Sequence, residues 1–83
     1  MYVNIGEDLS IRTASIVGVF DYEKAIQSKR SRRFLARAEE EGTLLNVGGD
    51  PKAIIVTTEF GMERVYLTQL GPAALERRMK ESD

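Results

Sequence analysis

Five cations fall within nine residues of this chain: Lys29, Arg30, Arg32, Arg33 and Arg37, inside the stretch SKRSRRFLARAEEE over 28–41. Guanidinium groups suit phosphate oxygens, which they bind through charge-assisted hydrogen bonds. The free N–H groups of a helix start would add to such an anion site, and nucleic acid is the usual polyanion. The spacing also carries a penalty. Lys29 and Arg33 are four apart, as are Arg33 and Arg37, so on a helix each pair repels by roughly 0.2–0.5 kcal/mol. The basic block stands where the helix begins, and Glu39, Glu40 and Glu41 stand where it ends. That order is the reverse of what the helix dipole favours.

Catalytic chemistry has little to work with. The chain has no His and no Cys, so the commonest general base, the commonest metal ligand and all thiolate chemistry are missing. It has no nucleophile–base pair, no metal-ligand cluster, no G-x-G-x-x-G and no P-loop, and Gly48-Gly49 is too short for a phosphate cradle. Glu7-Asp8 and the triple Glu read as a polar turn and a solvated helix end. The residues point to a protein that is not an enzyme, with no cofactor, no metal and no small-molecule substrate.

The 83 residues are 42% hydrophobic and 30% charged, with a net charge of −1. They suit one small globular domain over 1–83, marginal alone and helped by self-association. The near-neutral balance gives no global field, so any binding to nucleic acid or anionic lipid must come from a local patch. No apolar run approaches a membrane span or a signal-peptide core. The expected compartment is the cytoplasm, with no membrane partner.

The elements that must position the cations are readable in outline. Val3 and Ile5 alternate, Gly6-Glu7-Asp8 interrupts, Leu9 and Ile11 resume, and Ile16 to Phe20 form a denser run suited to a strand with both faces at least partly covered. Gly18 inside that run predicts close packing or a bulge. Ser28 is an N-cap and Gly42 a stop for the basic helix, whose narrow stripe of Phe34, Leu35 and Ala38 suits docking on a sheet. Leu44 to Val47 reads as a short strand, GGDP as a turn, AIIVTT as a central strand and RVYLT as its return, giving two hairpins in series. GPAALERRMK opens a second helix with Pro72 in its first turn and Leu75 and Met79 on one face. Tyr2, Phe20, Phe34 and Tyr66 stand at core positions, with Tyr22 and Phe60 near turns and expected at the surface. The expected fold is α+β: one mainly antiparallel sheet with two helices.

Taken on the residues alone, a solvated or subunit-contacting helix face stands ahead of an anion site, because charge runs are usually surface decoration. The basic end of one copy would meet the acidic end of the next, head to tail, and close into a ring or grow into a filament.

MYVNIGEDLSIRTASIVGVFD, then PKAIIVT, then TQLGPAALERR, in this order and spacing, resemble the RemA/RemB family of small bacterial regulators of biofilm extracellular-matrix genes. The opening segment and PKAIIVT look closer to the RemB branch. The resemblance implies a cytoplasmic, non-enzymatic, homo-oligomeric protein. The RemA branch binds DNA as a transcriptional regulator, and its rings present many copies of one basic surface to a wrapped duplex. Such binding rests on phosphate contacts and bending more than on base readout. That branch carries consecutive arginines in the loop before the strand matching AIIV. Here the loop is Gly48-Gly49-Asp50-Pro51, with Lys52 as its only cation, and Ser15 stands where that branch has a further arginine. The candidate nucleic-acid contacts are therefore Lys29, Arg30, Arg32, Arg33, Arg37 and Lys52. The other reading is a structural or protein-interaction module whose basic helix end serves subunit assembly.

Overall fold

The computed structural model describes residues 1–81. Its organising element is the AIIVTT run, which forms strand β5 (Ala53–Glu59) inside a four-stranded sheet of order β3-β5-β6-β4, with β3 (Ile16–Asp21), β4 (Leu44–Asn46) and β6 (Met62–Thr68). The run lacks polar alternation because both faces are covered. Ala53 and Ile55 pack into one hydrophobic cluster, and Ile54 and Val56 into the other. That is the period-two alternation of a strand, applied to two cores.

The first cluster lies under a separate hairpin, β1 (Tyr2–Gly6) and β2 (Leu9–Arg12), and helix α3 (Pro72–Glu81). Val3, Ile5, Ile11 and Leu75 meet Ala53 and Ile55 there. Buried Thr68 ties this layer to the sheet: its hydroxyl donates to the Ile5 carbonyl at 2.6 Å and accepts from the Leu70 N–H at 3.1 Å. The second cluster lies under α1 (Tyr22–Ala25) and α2 (Lys29–Glu40), where Ala38 meets Ile54, Val65 and Leu67 and is flanked by Phe34 and Leu35. The docking stripe expected for α2 is the one observed.

The α2 boundaries follow their local signals. The Ser28 hydroxyl accepts from the Ser31 N–H at 3.3 Å. At the other end Gly42, with φ 76, donates to Glu39, and Thr43 donates to Ala38. These are the two bonds of a Schellman motif, and they need the positive φ that glycine adopts without strain.

The α+β class stands, with refinements. The main sheet is mixed: β4 pairs with β6 in parallel rather than forming a hairpin with β5. GGDP does reverse the chain, but β6 sits between the two strands it was expected to join. The loop crosses the end of β6, with Val47 donating to Leu67 and Lys52 to Thr68. A third, one-turn helix follows β3, capped by the Asp21 carboxylate on the Lys24 N–H at 3.0 Å. Thr13–Ser15 form a single 3-10 turn.

Two aromatics expected in the core are outside it. Tyr2 is 64% and Phe20 52% exposed, while Tyr22 packs against the second cluster. β3 is only partly covered, with Val17 66% exposed. The reason is position: β3 is an edge strand, and α2 packs over β6 and β4 instead. Gly18 serves both predicted purposes. The register slips beside it, and a Cβ there would come within 2.9 Å of the Phe20 ring.

Candidate nucleic-acid interface

Docking through Phe34, Leu35 and Ala38 determines where the cations of α2 point. At about 100° per residue, Lys29, Arg33 and Arg37 lie along the side away from that stripe, Arg30 sits on the flank beside Phe34, and Arg32 lies on the opposite shoulder. All five are exposed. Arg32 has a partner within the chain: its guanidinium donates to the Ile26 carbonyl at 2.6 Å and closes the link between α1 and α2. Among the described residues the ion pairs are Arg12–Glu59 at 3.1 Å and Lys80–Glu76 at 3.4 Å. Neither uses a cation of α2. The first turn of α2 holds no acidic residue, so the unfavourable alignment with the dipole has no internal remedy.

Lys52 is brought beside the start of α1. Its carbonyl accepts from the Tyr22 N–H at 3.0 Å and its side chain is exposed. The loop glycines before it serve packing, since a Cβ on Gly48 would strike the Glu7 side chain. Ser15 is 9% exposed, and its hydroxyl donates to the Arg12 carbonyl at 2.7 Å. A long basic side chain at that position would have no room to stay where Ser15 lies.

Sequence reasoning missed two surfaces. Between α2 and the uncovered part of β3 opens a groove of about 650 Å³, with Phe20, Ile54 and Val56 on its floor and Phe34 and Leu35 beside them. Lys24 and Arg30 line it as well, so α1 contributes a cation to the neighbourhood of α2. On the other face of the sheet, Tyr2, Phe60, Met62 and Tyr66 line a smaller concavity of about 380 Å³ with Arg12 and Arg64. The signal for the groove was a strand run without an equal run of helix to cover it. Phe60 itself stands in a turn, as its sequence position predicts, and is exposed.

Among the described residues no group of three His, Cys, Asp or Glu side chains is placed to hold a metal ion. No described helix is long and apolar enough to cross a membrane.

The family model described as RemA-like, extracellular matrix regulatory protein A-like, matches residues 2–79. The chain is also similar to extracellular matrix regulatory protein B of Bacillus subtilis (strain 168). The two are 33% identical over 78 residues, which cover 94% of this chain and 89% of that protein.

Proposed function

The chain belongs to the RemA-like family, and on that premise we propose that it is a homo-oligomeric, cytoplasmic, DNA-binding transcriptional regulator of the biofilm-matrix type. The observation that carries this reading is the exposed basic side of α2, whose cations make no ion pair among the described residues. Lys29, Arg33 and Arg37 stand one turn apart along one side of the helix. Such a row suits successive phosphates of a backbone, with no demand on base sequence. One copy, at net charge −1, binds DNA weakly. An assembly that repeats the row gains affinity through effective concentration.

The test is binding to duplex DNA across a range of salt, for wild type and for Lys29→Glu/Arg33→Glu/Arg37→Glu. These three avoid Arg32, whose loss would disturb the α1–α2 link. The expected result is salt-sensitive binding by wild type and at least tenfold weaker binding by the variant. Wild-type binding that ignores the change would move the contact elsewhere. A second reading, in which the basic helix end serves subunit assembly, draws support from Arg30 lining an apolar groove. It predicts that Arg30→Glu lowers the assembled mass in light scattering.

A further inference from the structure

We propose that Phe60 of one copy inserts into the groove between α2 and β3 of the next, so that copies join head to tail. This rests on the homo-oligomeric reading and names the contact that would build it.

Phe60 and Gly61 form the two-residue turn between β5 and β6, with φ 53 and 77. Both central residues of such a turn need positive φ, which Asn-Gly meets best. A bulky aromatic there is a backbone outlier. Phe60 is 90% exposed, so burial within its own chain does not offset the strain. Strained, exposed residues of this kind mark sites where an external contact supplies the compensation.

The groove is the matching half. Val17 and Phe20 leave apolar surface open to water at 66% and 52% exposure. The charges also match. Glu63 follows the turn, while Lys24 and Arg30 line the groove; Glu59, on the other side of the turn, is paired with Arg12. Glu63 makes no ion pair among the described residues. Asp21, which also lines the groove, is committed to the α1 cap. An aromatic anchor in an apolar pocket with charged surroundings is the usual core of a strong protein contact.

Position decides the symmetry. Ile54 and Val56 face the groove, whereas Phe60 lies with Thr57 and Tyr66 on the other face of the sheet. A copy therefore does not fill its own groove, and a twofold dimer does not satisfy both halves at once. Each copy offers one knob and one hole on opposite faces, a heterologous contact that closes into a ring or extends as a filament.

Light scattering after size exclusion tests this with wild type, Phe60→Asn, Val17→Glu and an equimolar mixture of the two variants. Phe60→Asn removes the knob while improving the turn, so it should fold at least as well. Val17→Glu fills the groove with a carboxylate that cannot accept an apolar ring and repels the incoming Glu63. The expected result is an assembled wild type, two monomeric variants and a dimer in the mixture, because one intact knob still meets one intact hole. Variants that stay assembled would overturn the contact and leave the homo-oligomeric reading standing. Monomeric variants whose mixture does not pair would overturn the head-to-tail geometry. A monomeric wild type would overturn the homo-oligomeric reading itself, and this contact with it.

Discussion

Helices α2 and α3 both carry dense sets of cations and treat them in opposite ways. In α3, Arg78 and Lys80 sit in the last turn, where the dipole favours them. Arg78 donates to the Asn4 carbonyl at 3.2 Å and to its side-chain oxygen at 3.0 Å, and Lys80 pairs with Glu76 one turn back. In α2 four of the five cations lead the helix, with Arg37 alone in its last turn, and the carboxylates trail it. Among the described residues, Arg32 is the one cation of α2 whose side chain has a hydrogen-bond partner. Charges satisfied within the chain hold a scaffold together. Charges left exposed against the dipole are available to something outside it.

The comparison can be broken at its strongest point first. Leu75 is the fully buried anchor of α3, 1% exposed in the first cluster. Leu75→Ala should cost about 2–5 kcal/mol, read as a lower midpoint in urea unfolding. A loss well under that range would mean that α3 is no more essential to the scaffold than α2. Next comes the contrast in DNA binding. Reversing Lys29, Arg33 and Arg37 should flatten the plot of log affinity against log salt by about 0.9 for each phosphate no longer neutralised. Arg77→Glu, equally exposed but on α3, should leave the slope unchanged. If the two variants behave alike, the basic side of α2 has no special role.

A smaller effect is expected from Arg78→Ala. Removing its bonds to Asn4 should destabilise the protein by about 0.5–1 kcal/mol, since the site is exposed. The smallest has the opposite sign. Lys29→Glu places an anion in the first turn of α2 and should stabilise the fold by about 0.3–1 kcal/mol, while weakening DNA binding. Thermal unfolding and binding measured on the same sample would show stability and affinity moving in opposite directions. Movement in the same direction would mean that Lys29 already has a stabilising partner.

Much of the frame around the candidate site is legible in the sequence because its determinants are local. Ser28 and Gly42 mark the ends of α2 through bonds that span three to five residues. Phe34, Leu35 and Ala38 mark its docking side through helical period alone. Lys24 escapes a sequence reading because a one-turn helix leaves too short a pattern, although Asp21 three residues earlier is its cap. Phe20 reads as a core residue because an apolar side chain in a strand is usually covered. Its exposure depends on where α2 comes to rest, a matter of the whole sheet.

The chain by itself determined the strands and main helices, their caps, the two-sided burial of β5 and the cluster of cations on α2. Each of these follows from residues a few positions apart, whose steric and hydrogen-bonding preferences act before any long-range contact exists. Only the tertiary structure decided that β6 lies between β4 and β5, that β3 forms an uncovered edge, and that Phe60 and the groove occupy opposite faces. Those facts depend on which distant segments bury one another. GGDP shows the division. Its glycines and proline encode a reversal of direction, while the strand that occupies the space between the reversed segments is drawn there by apolar surface far along the chain.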